Sequence, residues 1–102
     1  MPEDAREVSE ARERVTITNQ RGLHARASAK FVNAVAILPP ELVVRVFKDG
    51  NEAAGGSILG LMMLGAAKGE SIDIEVNGDG ADAALAKLVG LSSTALARID
   101  PL

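Results

Sequence analysis

The sequence predicts an α+β domain in which helices pack on one face of a small sheet, in the order strand, helix, strand, strand, helix, strand, helix. Three observations carry this. Apolar residues alternate with polar ones in "RVTITN" and "SIDIEV", the two-residue period of half-buried strands. Alanine-rich "ARASAKFVNAVA" and the chain after Gly80 instead repeat at helical spacing. Turn signals separate the segments, and two consecutive strands without an intervening helix argue against simple alternating parallel units.

Each element has its own justification. Residues 1–13, "MPEDAREVSEARE", mix acids with arginines and read as a flexible N-terminal extension, leaving 14–102 as the folded domain. From Arg14, Val15 and Ile17 alternate with Thr16 and Thr18 as the first strand, and Asn19 to Gly22 turns the chain. Across Ala25–Ala36, Ala27, Phe31, Ala34 and Val35 share one helical face, with Arg26, Lys30 and Asn33 opposite. Pro39-Pro40 stops that helix, and β-branched "ELVVRVFK" from Glu41 to Lys48 gives the second strand.

Asp49-Gly50 is a hairpin turn signal leading to a short strand over Asn51–Ala54. Ser57 is placed to cap a short helix through "ILGLMML", closed by Gly65, with Leu61 and Leu64 expected to face inward. "SIDIEV" forms the fourth strand and "NGDG" ends it. A long last helix then starts after Gly80, with Asp82 as its cap and Ala84, Leu85, Leu88, Leu91 and Leu96 as its stripe, ending at Asp100-Pro101.

Composition narrows the function classes. With 11 Lys and Arg against 14 Asp and Glu the net charge is -3, which argues against a nucleic-acid partner. Zero cysteines exclude disulfides and thiolate metal sites and fit a cytoplasmic location. The start of the chain lacks the apolar stretch of a signal peptide. The longest nearly apolar run, Ile58 to Ala67, is interrupted by Gly60 and Gly65 and falls short of the ~20 residues of a membrane span. A soluble protein without membrane insertion is expected.

The single histidine, His24, is the residue to explain. A metal site needs three or four ligands, which one histidine without cysteine does not supply, so neither metal nor cofactor is expected. A Ser-His-Asp hydrolase would have Ser28 or Ser57 available but no nucleophile elbow. His24 can also be simply a surface or half-buried residue ending a loop. Its place before a helix, with Arg26 two residues on, suits an anion: helix N-termini offer N–H groups and favour negative charge. Neutral imidazole is nucleophilic and, once protonated, leaves readily, the two properties reversible phosphoryl transfer requires.

"GLHARASAKFV" resembles the phosphorylation-site signature of HPr, the histidine-containing phosphocarrier family of the bacterial phosphotransferase system. "GSILGLMMLGAAKG" is similar to the family's second signature, around a regulatory serine, and the resemblance extends from about Arg14 to Ala97. It implies an open-faced sandwich, a four-stranded antiparallel sheet with three helices on one face. It implies that His24 accepts phosphate from phosphorylated Enzyme I through Nδ1 and passes it to an EIIA-type protein, with Arg26 assisting. The chain would then be a phosphorylated intermediate, in sugar transport or a related pathway, and a monomer, rather than a free-standing enzyme.

By the same resemblance Ser57 is a target of HPr kinase/phosphorylase, and Ala25, Ala27, Ile58, Leu59 and Met62 meet partners. Core packing is the competing expectation for the apolar residues, yet "SILGLMML" holds more of them than one helix face can bury. Ala27 stands where many members have proline and resembles a variant of the nitrogen-related branch. The alternative class is a regulatory binding module of the same fold that acts through protein contacts with little phosphotransfer.

Overall fold

The computed structural model describes residues 9–18 and 21–90. It has β1 (Glu10–Thr16), α1 (Ala25–Ala36), β2 (Val43–Lys48), β3 (Asn51–Ala54), α2 (Ile58–Met63), β4 (Ser71–Asn77) and α3 (Ala81–Gly90). The four strands form one sheet in the order β1-β4-β2-β3 with every neighbouring pair antiparallel. The three helices cover one face, which makes this an α+β open-faced sandwich.

Alternation decides which face is covered. Ile72, Ile74 and Val76 of β4, Val44 and Val46 of β2 and Val15 of β1 are buried on the helix side. Opposite them lie Ala27 and Phe31 of α1, Leu61 of α2, and Ala81, Ala84, Leu85 and Leu88 of α3. Phe31 is the one aromatic in this layer, and aliphatic side chains fill the rest.

The other face is a charge lattice. Arg14 Nε donates to Asp73 Oδ1 at 2.9 Å and Arg12 Nη2 to Asp73 Oδ2 at 3.2 Å. Arg45 Nη2 lies 2.8 Å from Glu75 Oε1, and the Arg12 guanidinium stacks 4.5 Å from the centroid of the Phe47 ring. Hydrogen bonding to Arg14, aided by Arg12, holds the Asp73 carboxyl below the usual carboxylate range.

This lattice corrects the first boundary. β1 begins at Glu10, ahead of the Arg14 expected from the sequence, so residues 10–13 belong to the sheet and not to an extension. Its register sets Glu10 opposite Asn77, Arg12 opposite Glu75 and Arg14 opposite Asp73. Cross-strand ion pairs hold this stretch where apolar alternation has already ended. Residues 1–8 lie outside the described part.

Two further boundaries move. Leu42 N–H donates to Pro39 O at 3.0 Å, so the turn begun by the prolines extends through Leu42 and β2 starts at Val43. At α3, Gly80 O accepts from Ala84 N–H at 3.1 Å, which gives Gly80 the capping place expected for Asp82. Asp82 sits inside the first turn, its Oδ1 accepting from Ala83 N–H at 2.8 Å. Leu91, Leu96 and Asp100-Pro101 lie outside the described residues. No helix among the described residues is long and apolar enough to cross a membrane.

Candidate functional site

The chain reaches α1 through a short loop pinned to the segment after α2. Gly22 has φ +64°, and a Cβ there would meet Ala66 O at 2.2 Å and Ala67 Cα at 2.8 Å. Only glycine fits both the backbone conformation and the approach. Leu23 follows, buried in the core, its N–H donating to Ala66 O at 2.9 Å. Ser28, fully buried, turns its hydroxyl back to Leu23 O at 3.4 Å. The loop is therefore tied both to its own helix and to the end of α2.

That fixes His24 as the N-cap of α1, in extended backbone, with its carbonyl accepting from Ser28 N–H at 2.9 Å. Its side chain caps too: Nδ1 accepts from Arg26 N–H at 3.1 Å. An acceptor Nδ1 carries a lone pair, so the neutral ring holds its proton on Nε2, an assignment that follows from the hydrogen bond. Nε2 is buried and has no hydrogen-bond partner. The ring is half-buried. The nucleophilic nitrogen thus points at the start of a 12-residue helix, where N–H groups and the helix dipole favour an anion.

Ser57 caps α2 as the sequence predicts, its Oγ accepting from Gly60 N–H at 2.9 Å. α2 turns Leu61 inward, and Leu64 is buried just beyond its end. Ile58, Leu59 and Met62 are exposed by 41%, 68% and 40%, far more than core packing allows. Met63, not expected from the sequence, is exposed by 76% and widens the patch. A six-residue helix has one inward position per turn, and this chain fills the remainder with apolar residues.

Gly22 and Leu23 join the two parts, because they lie against Ala66 and Ala67 directly after α2. α2 spans roughly 9 Å at 1.5 Å per residue, with Ser57 at one end and the His24 loop beside the other. Ala25 and Arg26 are exposed on the first turn of α1. Ala27 is a correction: it is completely buried, one turn before Phe31 on the inner side of α1, and presents no surface for a partner to touch. Any consequence of its replacing proline runs through the helix backbone.

A half-buried histidine at a helix start, beside an exposed apolar helix on an open-faced sandwich, is an arrangement suited to a small phosphoryl carrier. The family described as "PTS HPr component phosphorylation site" matches residues 11–94, and the chain belongs to this HPr family of phosphocarriers of the phosphotransferase system. It is 49% identical over 70 residues to the phosphocarrier protein HPr of Neisseria meningitidis, covering 69% of this chain and 74% of the relative. It is 36% identical over 77 residues to the phosphocarrier protein NPr of Escherichia coli K12, covering 76% and 84%. The crystal structure of a phosphocarrier protein HPr from Bacillus anthracis superposes with a TM-score of 0.76 at 29% identity, over 84% of this chain and all of that one.

Proposed function

We propose that Nδ1 of His24 receives a phosphoryl group from phosphorylated Enzyme I and passes it to an EIIA-type protein in the cytoplasm, the chain acting as a monomer. The observation that carries this is the Nδ1 lone pair held toward the α1 N-terminus by Arg26 N–H. In the forward step that lone pair attacks phosphorus, the N–P bond forms, and the bond to the donor atom breaks. Arg26 N–H then turns from the ring nitrogen to a phosphoryl oxygen, and the Arg26 guanidinium supplies charge-assisted contacts. No described protein group takes the Nε2 proton. The ring that keeps it remains a good leaving group for the next transfer.

Ile58, Leu59 and Met62, with Met63 added by its exposure, form the docking surface shared by donor and acceptor. Ser57 borders it and is the site for HPr kinase/phosphorylase. A phosphate there adds nearly two negative charges beside Ile58 and opposes an acidic partner surface while leaving the cap oxygens in place. The test is incubation with Enzyme I and phosphoenolpyruvate: an acid-labile phosphoryl group is expected on the native chain and none on His24→Ala. Equal labelling of both overturns the assignment.

A further inference from the structure

We propose that Met62 and Met63 form an oxidation-responsive site, at which conversion of their thioethers to sulfoxides weakens partner docking on α2. The inference rests on the docking role given to α2 above. Its starting point is where the chain puts its sulfur. There are three methionines and no cysteine, tryptophan or tyrosine. Met1 lies outside the described residues, so the side chains of the described protein most open to two-electron oxidation are an adjacent pair on one six-residue helix.

Their surroundings leave them open to attack. Met62 is 40% and Met63 76% exposed, whereas the neighbours that anchor α2, Leu61 and Leu64, are buried and cannot be oxidised in this way. Met63 also lines an open surface hollow of about 250 Å³ with Asn51, Glu52, Gly60 and Leu64. The helix separates the two duties: Leu61 and Leu64 hold the fold, while Met62 and Met63 face outward with Ile58 and Leu59.

The reaction needs a peroxide as oxidant. The thioether sulfur attacks one peroxide oxygen, the S–O bond forms, the O–O bond breaks, and the other oxygen leaves as water after proton transfer. Sulfur loses two electrons and peroxide gains them. A dithiol reductant of the methionine sulfoxide reductase type reverses the change, giving thioether, disulfide and water. The product replaces a pliable apolar surface by a polar one, and docking must then desolvate the S=O dipoles. The core is untouched because neither methionine contributes to it.

The experiment treats the full-length protein with graded hydrogen peroxide, maps oxygen incorporation by peptide mass spectrometry, and measures KM and kcat for phosphorylation by Enzyme I. Met62→Leu/Met63→Leu is treated in parallel, each protein being referred to its own untreated rate. Expected are oxidation at both methionines, a KM raised roughly tenfold with unchanged thermal unfolding, recovery on adding methionine sulfoxide reductase, and no peroxide effect on the double variant. Methionines that stay reduced while His24 is oxidised overturn the proposal. So do an oxidised protein that keeps its KM and a double variant that loses transfer equally. An untreated chain that accepts no phosphoryl group overturns the carrier reading and, with it, this one.

Discussion

Replacing Gly22 by alanine tests whether the loop contact with the end of α2 sets the position of His24. Three costs combine. A non-glycine residue at φ +64° is strained by about 1–2 kcal/mol. A methyl group against Ala66 O and Ala67 Cα meets backbone that cannot swing aside, and overpacking of this kind costs about 1–3 kcal/mol. Loosening the Leu23 N–H bond to Ala66 O adds about 0.5–1.5 kcal/mol. The total is about 2.5–6.5 kcal/mol, which for a domain of this size lowers Tm by about 10 °C or more.

Gly50→Ala is the matched control. Gly50 has φ +83° but nothing within 4 Å of an added Cβ, so only the backbone strain remains. About 1–2 kcal/mol is then lost, or roughly 4–16 °C, without the overpacking and hydrogen-bond costs of Gly22→Ala. Thermal unfolding by circular dichroism gives the difference, and initial rates of phosphorylation by Enzyme I report on His24 below the melting range. Gly22→Ala should be both the less stable and the slower of the two. Equal melting temperatures and equal rates would show that the approach of Gly22 to Ala66 does not place the histidine.

Three further outcomes follow from the same geometry. Ser57→Ala removes the acceptor for Gly60 N–H and should cost about 1 kcal/mol, read as a Tm lowered by roughly 4–8 °C. Leu59→Asp, at a position 68% exposed, should raise KM for Enzyme I roughly tenfold while thermal unfolding is unchanged. Asp73 has its folded pKa below its unfolded value because of Arg14 and then Arg12. Its stabilising effect is therefore full above the unfolded carboxylate range near ~4 and is lost as pH falls through the lower folded value. Acid titration of Tm should show the native protein losing its advantage over Asp73→Asn below about pH 4.

Elements with an apolar period were legible in the sequence, and those held by charge or backbone approach were not. α1 occupies Ala25–Ala36, the span its alanine and Phe31 spacing indicates. Asp49-Gly50 makes the expected hairpin, with φ 52° and 83°. The start of β1 is not legible locally because Arg12 and Arg14 pair with Glu75 and Asp73 about 60 residues away, and no local pattern announces such pairs. Gly80 takes the capping place expected for Asp82 because α3 starts at Ala81, directly after the turn.

At the site, His24 was legible as the residue before α1 and Ser57 as the cap of α2, and the excess of apolar residues on α2 pointed to a surface; that the His24 side chain itself caps α1 was not. Helical spacing already sets Ala27 beside Phe31 on one face of α1, where it is buried, and only the resemblance puts it among partner-facing residues. Met63, which faces out, is the residue of α2 that was missed. Counting α2 from the buried Leu61 places residues 62 and 63 away from the sheet, a signal that becomes usable once the inward position is known. Gly22 gave no signal of its own, since its need comes from backbone 44 residues further along.

The central claim is that one nitrogen of His24, Nδ1, carries the phosphoryl group. Phosphorus NMR of the chain after incubation with Enzyme I and phosphoenolpyruvate tests it most directly, because the two ring positions give distinct resonances. The geometry predicts a single acid-labile signal of the Nδ1 type that disappears in His24→Ala. A signal of the Nε2 type, or a phosphoryl group that survives that substitution, would contradict it.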